Sequence, residues 1–125
     1  MPRVLIVDDE ENQRRSLALG LAAEGFDCLE ADGGEAAMVA LRGQGRVDVA
    51  LVDLMMPGQS GLEVARRIGW LSPATMVVLT SAYHLSIRQL QRADCGAVGF
   101  VPKPYHLPDL CAFLRQKLRP AHVLP

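Results

Sequence analysis

Short apolar runs alternate along the chain with longer segments of mixed polarity. The apolar runs lie at about 3–8, 26–31, 48–53, 75–80 and 97–101. A short, nearly continuous apolar run is typical of a strand that is buried on both faces of a parallel sheet. The second run is partly polar, as expected for an edge strand. The pattern therefore predicts five strands in a sheet that is covered on both faces.

The segments between these runs have the spacing and the boundary residues of helices. Helices are predicted at about 11–24, 35–42, 61–68, 84–94 and 108–118. The alternation of strands and helices indicates five βα units, and right-handed crossovers then place helices on both faces of the sheet. We expect an α/β fold with a doubly wound parallel sheet.

Size and charge exclude several classes of protein. With 125 residues, 50% of them hydrophobic, the chain is expected to form one globular domain. The formal net charge of −1 gives no electrostatic basis for binding nucleic acid or an anionic membrane. The pairs Arg14-Arg15 and Arg66-Arg67 are expected on solvated helix faces. Since no apolar run approaches the ~20 residues of a membrane span and no signal peptide fits, we expect a soluble, cytoplasmic protein.

The three cysteines are not expected to bind metal or to form disulfides. Cys28, Cys95 and Cys111 have no metal-ligand spacing, and their surroundings are largely apolar. They are interpreted as buried, reduced thiols.

Polar residues follow or end four of the predicted strands. Asp8 and Asp9 end the first run, Asp53 the third and Thr80 the fourth, and Lys103 follows the fifth. In open α/β sheets the functional site lies outside the carboxyl ends of the strands. We therefore expect three carboxylates, a hydroxyl and an ammonium group to converge at one edge.

These groups suit phosphoryl chemistry assisted by a metal. Three neighbouring carboxylates repel each other unless a counter-charge is present, and Mg²⁺ binds carboxylates while bridging to phosphate oxygens. An aspartate can act as a nucleophile that forms an aspartyl-phosphate, with an ammonium and a hydroxyl stabilising the transferred group. Each residue alone also has a structural explanation, such as a helix cap, a turn or a solvated loop lysine. The prediction rests on all of them falling at successive strand ends.

At these residues the chain resembles the CheY-like receiver domain of two-component response regulators. The motifs that carry the resemblance are Val7-Asp8-Asp9-Glu10, Val52-Asp53-Leu54-Met55-Met56-Pro57-Gly58, Leu79-Thr80-Ser81 and Lys103-Pro104. It covers Val4 to about Leu118. It implies a flavodoxin-like (βα)5 fold with strand order 2-1-3-4-5, a receiver domain over residues 1–119, and a tail or the start of a linker at 120–125.

The resemblance also implies a role for each acidic residue. Asp53 corresponds to the phosphoacceptor, which takes a phosphoryl group from a histidine kinase, a phosphotransfer protein or a small phosphodonor. Asp9 corresponds to the direct ligand of Mg²⁺ (or Mn²⁺), and Asp8 to an acidic neighbour that acts through water. The backbone carbonyl of Met55 falls where the third protein ligand lies. The domain is expected to assist its own phosphoryl transfer and dephosphorylation without being an enzyme.

A conformational switch follows from the same resemblance. Lys103 corresponds to the lysine that pairs with phosphoryl oxygens, and the bond between Lys103 and Pro104 is often cis in this family. Thr80 corresponds to the switch hydroxyl, which moves towards the phosphate while the aromatic residue Phe100 fills the space behind it. Phe100 lacks the hydroxyl of the commoner tyrosine, so the switch must rely on packing.

The movement is expected to remodel the face formed by the fourth helix, the fifth strand and the fifth helix. This face would contact a downstream output protein or domain, or a second copy in a homodimer. Phe113 lies roughly 115° from the centre of the apolar stripe of the last helix, at 100° per residue, and is expected to be an exposed partner contact. Met55 and Ala82 cannot orient an attacking water, which predicts slow loss of the phosphoryl group.

Three other classes of protein share parts of this pattern. An aspartyl-phosphate hydrolase usually has a second aspartate two residues after the nucleophile, where this chain has Met55. A flavin or nucleotide carrier needs a phosphate-binding loop, but acidic residues 8–11 follow the first strand. A phosphorylation-independent interaction module with the receiver fold stays open. The chain is expected, by a slight preference, to be a stand-alone regulator rather than part of a longer one.

Overall fold

The computed structural model describes residues 1–43, 45–83 and 85–119. Five strands and five helices alternate along these described residues. In order they are β1 (Arg3–Val7), α1 (Glu11–Ala23), β2 (Asp27–Ala31), α2 (Gly34–Gly43), β3 (Val49–Asp53), α3 (Gly61–Leu71), β4 (Met76–Ser81), α4 (Ile87–Ala93), β5 (Ala97–Pro102) and α5 (Leu107–Lys117). The predicted tail at 120–125 lies outside the described residues.

The strands form one parallel sheet in the order β2-β1-β3-β4-β5, which confirms the predicted topology. Successive side chains of a strand point to opposite faces. Val4 and Ile6 accordingly pack in the core on the side of α1 and α5, whereas Leu5 and Val7 pack in the core on the side of α2 and α3. Burial of both faces explains why the strands are continuous apolar runs.

Two helix boundaries differ from the prediction by three residues. α3 continues to Leu71 rather than ending near 68, and it stops where Ser72 precedes a proline, a position that disfavours helical backbone. α4 begins at Ile87 rather than near 84 because Ser86 forms a capping box: the Ser86 Oγ accepts from the Gln89 N–H at 3.1 Å, and the Gln89 Oε1 accepts from the Ser86 N–H at 2.8 Å.

The helices differ in how firmly they pack. α1 buries four residues, while α4 buries none of its residues. Within the described residues, no helix is both long and apolar enough to span a membrane.

Candidate functional site

The carboxyl edge of the sheet brings the predicted site residues together. Asp53, the last residue of β3, lies directly opposite Thr80 of β4. Asp8 and Asp9 follow β1, and Lys103 follows β5. One carboxylate oxygen from each of the three aspartates lies within 4.8 Å of the other two. The expected convergence of carboxylates, hydroxyl and ammonium at this edge is therefore observed.

Lys103 is held by three oxygen atoms. Its Nζ lies 2.8 Å from Asp8 Oδ2, 3.1 Å from Gln13 Oε1 and 3.5 Å from Asp53 Oδ2. Its backbone N–H donates to the Ser81 carbonyl at 2.8 Å, and the bond between Lys103 and Pro104 is cis. The ammonium thus lies closer to Asp8 than to Asp53.

Burial shapes the charge state of the site. Asp8 and Asp53 are only 3% and 7% exposed, whereas Asp9 is exposed. Burial raises the pKa of Asp53; the Lys103 charge and the Met55 N–H oppose this rise, and the neighbouring Asp8 adds to it. Burial lowers the pKa of Lys103, but its hydrogen bond to Asp8 and nearby acidic groups raise that pKa above the ordinary value overall.

The donor set fits a hard divalent cation. In the described part of the chain, Lys103 is the cation that forms ion pairs with the cluster, to Asp8 and Asp53. One ammonium therefore stands against three carboxylates. Carboxylate oxygens are ligands that Mg²⁺ prefers, and the cluster has more carboxylates than one ammonium neutralises.

The segment after β3 fixes the Asp53 carboxylate. Asp53 Oδ1 accepts from the Met55 N–H at 3.2 Å. The Leu54 N–H donates to the Thr80 carbonyl at 2.8 Å, and the Gly61 N–H donates to the Leu54 carbonyl at 2.9 Å. A Cβ at Gly61 would overlap the Asp53 carbonyl, so glycine is required where α3 begins. The Met55 side chain is 60% exposed, and the ligand role of its carbonyl stays a prediction.

Tyr105 is a site residue that the sequence reasoning missed. The side chain of Thr80 is 1% exposed, and it is near enough to the Tyr105 hydroxyl to affect the pKa of Tyr105 through hydrogen bonding. Burial raises the pKa of Tyr105, while this hydrogen bond and the Lys103 charge oppose the rise. The available signal was its position two residues after Lys103, which places Tyr105 near the same sheet edge.

The two phenylalanines proposed for the partner face are both half-buried. Phe100 packs against the core on the α2 and α3 side. The expectation that Phe113 is exposed is wrong, because its ring packs on β5: a Cβ at Gly99 would lie 2.7 Å from Phe113 Cζ. The Lys117 Nζ lies 5.6 Å from the centroid of the same ring and covers it further.

The expectation of solvated arginine pairs is wrong for Arg14. Arg14 is 8% exposed, and its Nη1 donates to the Asp8 carbonyl at 2.9 Å. Arg15 is exposed as expected. The helical spacing contained the signal, because Arg14 shares the buried face of α1 with Leu17 and Leu21.

The three cysteines are free thiols. Cys95 and Cys111 are buried, and Cys28 is half-buried. Burial, together with the charges of Asp27 and Glu30, raises the pKa of Cys28 to about 11, so this thiol is protonated at neutral pH.

A 2-1-3-4-5 parallel sheet that gathers three aspartates, a threonine and a lysine at its carboxyl edge defines a phosphoacceptor signalling domain. The chain belongs to the response regulator receiver domain family, whose model matches residues 4–115. It is thus a receiver domain of the kind found in two-component response regulators.

Individual relatives agree with this assignment. The chain is 36% identical over 116 residues to a cyclic di-GMP phosphodiesterase of Thermotoga maritima, a match that covers 93% of this chain and 31% of that protein. It is 36% identical over 119 residues to the sensory transduction protein RegX3 of Mycobacterium tuberculosis, covering 95% of this chain and 52% of that protein. The chain therefore spans about half or less of the length of these two relatives.

A solved structure shares the whole fold. The response regulator protein TrrA from Thermotoga maritima, in complex with Mg²⁺-BeF, matches with a TM-score of 0.80 and 34% sequence identity. The match covers 95% of this chain and 100% of that one.

Proposed function

We propose that this chain is a Mg²⁺-dependent switch that accepts a phosphoryl group on Asp53. The observation that carries the proposal is the cluster of three carboxylates within 4.8 Å, with the Lys103 ammonium 3.5 Å from Asp53. This arrangement offers a nucleophilic carboxylate, ligands for a metal and a cation for the phosphoryl oxygens in one place.

The aspartates divide the metal binding between them. Asp9, Asp53 and the Met55 carbonyl would hold Mg²⁺, or Mn²⁺ in its place. Both oxygens of Asp8 already accept hydrogen bonds, Oδ1 from the Glu10 N–H at 2.9 Å and Oδ2 from Lys103 at 2.8 Å. This supports a contact of Asp8 with the metal through water. The cation would supply charge neutralisation for the carboxylates and the phosphoryl oxygens.

Phosphoryl transfer then forms one bond and breaks another. An Asp53 carboxylate oxygen attacks phosphorus, while the bond from phosphorus to the histidine nitrogen of a kinase or phosphotransfer protein, or to the leaving oxygen of a small phosphodonor, breaks. Lys103 turns from Asp8 and Gln13 towards the new phosphoryl oxygens. Thr80 turns away from Tyr105 and donates a hydrogen bond to the phosphoryl group, which is strongly anionic.

The proposed output face includes α4, a loosely packed helix. Phe100 lines a groove of about 440 Å³ with the apolar residues of α4 and β5, and α4 buries none of its residues. Movement of Phe100 behind Thr80 would shift α4 and change the face formed by α4, β5 and α5. Phe113 contributes the exposed part of its ring to this face. The face would contact a downstream output protein or domain, or a second copy of the chain, and the switch would work in the cytoplasm.

An interaction module that signals without phosphorylation is the alternative. Intact mass spectrometry separates the two after incubation with acetyl phosphate, with either Mg²⁺ or excess EDTA. We expect the wild type to gain the mass of one phosphoryl group with Mg²⁺ only, and Asp53→Asn to gain none. No gain in the wild type, or an equal gain in Asp53→Asn, would favour the binding module.

The phosphorylated form is proposed to decay slowly. Met55 and Ala82 are both exposed beside the site, and neither side chain can hydrogen-bond a water molecule. We expect Met55→Asn, which adds an amide able to orient water, to shorten the half-life measured by intact mass after removal of the phosphodonor. A wild-type half-life too short to survive desalting would contradict the proposal.

A further inference from the structure

A buried guanidinium, that of Arg14, hydrogen-bonds the backbone of the acidic cluster. Arg14 of α1 is 8% exposed and donates from Nη1 to the Asp8 carbonyl at 2.9 Å. Its Nε donates to Glu30 Oε1 of β2 at 3.1 Å, and its Nη2 lies 4.0 Å from Glu11 Oε1. The guanidinium thus connects α1, the end of β1 and the edge strand β2.

The backbone of Asp8 is held on both sides of its Cα atom. Its N–H donates to the Ala31 carbonyl at 3.0 Å, which extends the pairing of β1 with β2 by one residue. Its carbonyl accepts from Arg14. This carbonyl belongs to the peptide group that joins Asp8 to Asp9, so the Arg14 hydrogen bond acts on the backbone between two of the three clustered carboxylates.

Charge alone does not explain this arrangement. Arg14 forms ion pairs with Glu30 and Glu11 rather than with a cluster carboxylate, and it reaches the cluster through a neutral carbonyl. Burial of a guanidinium is unfavourable unless its donors are satisfied, and the rigid fork of arginine satisfies Glu30 and the carbonyl at once. A lysine, with a single charged nitrogen, does not have that geometry.

We propose that Arg14 is a positioning residue for the metal site, which fixes the Asp8–Asp9 peptide so that both carboxylates face Asp53. The inference rests on the proposed Mg²⁺-dependent function. Outer partners of metal ligands commonly change metal affinity by about 10–100-fold when they are removed.

Positioning and simple electrostatics predict opposite results. If Arg14 acted only as a nearby positive charge, its removal would make the site more negative and tighten Mg²⁺ binding. If it positions the carboxylates, its removal loosens them and weakens Mg²⁺ binding. The double variant Arg14→Met/Glu30→Gln removes one positive and one negative charge, so it isolates the geometric effect.

The experiment measures Mg²⁺ affinity by isothermal titration calorimetry in the wild type, Arg14→Met/Glu30→Gln, Arg14→Lys and Arg15→Met. Arg15 is the matched control, since it also pairs with Glu30, at 3.6 Å, but is exposed. We expect about tenfold weaker binding in the double variant, a smaller loss in Arg14→Lys, and unchanged binding in Arg15→Met. Hydrogen exchange of the Asp8 amide in EDTA should speed up in the first two variants.

The outcomes separate the inference from the proposed function. The positioning role is overturned, and the proposed function left intact, if both the double variant and Arg14→Lys fold and bind Mg²⁺ at least as tightly as the wild type. If the double variant does not fold, Arg14→Lys decides by the same criterion. A wild type that does not bind Mg²⁺ would overturn both.

Discussion

The two ends of the switch are built in contrasting ways. At the carboxyl edge, Asp8, Asp53 and Thr80 are buried and held by hydrogen bonds and ion pairs to neighbouring strands and loops. Next to β5, by contrast, α4 buries none of its residues, and Ile87 at its start is 77% exposed. α1, beside the site, buries four residues.

The difference matches what the proposed function requires of each region. Groups that take part in phosphoryl transfer act best when they are positioned before the reaction begins. An element that reports the reaction must move at a small free-energy difference, and loosely packed elements have that property. Substitutions at the two regions test this contrast.

Removal of the Lys103 ammonium should damage the rigid end most. Lys103→Met leaves the buried Asp8 carboxylate without its 2.8 Å ion pair, which we expect to destabilise the fold by about 3 kcal/mol in EDTA. Phosphorylation by acetyl phosphate should slow by about 100-fold or more, because a positioned charge is lost. Urea unfolding and intact mass measure the two effects.

Lys117→Met is the matched control for that experiment. Lys117 is exposed and lies over the Phe113 ring, far along α5 from the acidic cluster. We expect normal phosphorylation and nearly unchanged stability. Equal effects of the two substitutions would mean that Lys103 has no special place in the site.

Truncation of one side chain in each helix compares their packing directly. Leu21→Ala in α1 empties a fully buried position and should cost about 3 kcal/mol of unfolding free energy. Ile87→Ala in α4 should cost less than about 0.5 kcal/mol, since the side chain is 77% exposed. Urea unfolding of both variants measures this, and similar losses would contradict the contrast.

A hydrogen bond ties the end of α4 to α3. Arg66 Nη2 donates to the Ala93 carbonyl at 2.7 Å. We expect Arg66→Met to lower the local stability of α4 by about 1 kcal/mol, seen as faster amide hydrogen exchange in α4 only. Arg67→Met, which loses contacts to Glu35 and Gln59 instead, should leave exchange in α4 unchanged. Faster exchange of α4 in both variants would show that this bond is not specific.

The smallest effect concerns the charge of Asp53 and its dependence on pH. Burial raises the pKa of Asp53 above the ordinary 3.8, so the folded state holds this proton more tightly than the unfolded state. Stability from this group is therefore present at low pH and is lost as pH rises from 3.8 through the raised pKa.

Asp53→Asn removes this dependence. At neutral pH in EDTA we expect a slightly higher midpoint of thermal unfolding than in the wild type, and Mg²⁺ should raise the midpoint of the wild type more than that of the variant. Asp9→Asn is the control: it removes a proposed metal ligand at an exposed position and leaves the buried Asp53 carboxylate in place. A lower midpoint for Asp53→Asn in EDTA would contradict the stated cause.

The sequence predicted the parts of the site that follow from strand ends. Asp8, Asp53 and Thr80 end buried apolar runs, and a parallel sheet necessarily brings such ends to one edge. The number of helices followed from the alternation of elements, and the strand order followed from the resemblance. The starts and ends of helices depend on local features, such as the Ser86 capping box and the proline after Ser72, which the overall pattern does not locate.

The contacts between distant elements were not predictable in the same way. A charged residue is normally expected in solvent, although Arg14 lies on the buried stripe of α1. Its partner Glu30 lies on another element, so the sequence pattern did not reveal the pair. Phe113 was placed by helical angle alone, which does not show that Gly99 leaves room for its ring. Tyr105 required the fold itself, since its partner Thr80 is 25 positions earlier in the chain.

A crystal structure of the chain with Mg²⁺ and beryllium fluoride tests the proposed site most directly. We predict beryllium fluoride on the Asp53 carboxylate and Mg²⁺ bound by Asp9, Asp53 and the Met55 carbonyl. Lys103 and Thr80 should contact the fluorides, with the Thr80 hydroxyl turned away from Tyr105. A metal bound away from the three aspartates, or beryllium fluoride bound elsewhere than on Asp53, would contradict the proposed phosphoacceptor site.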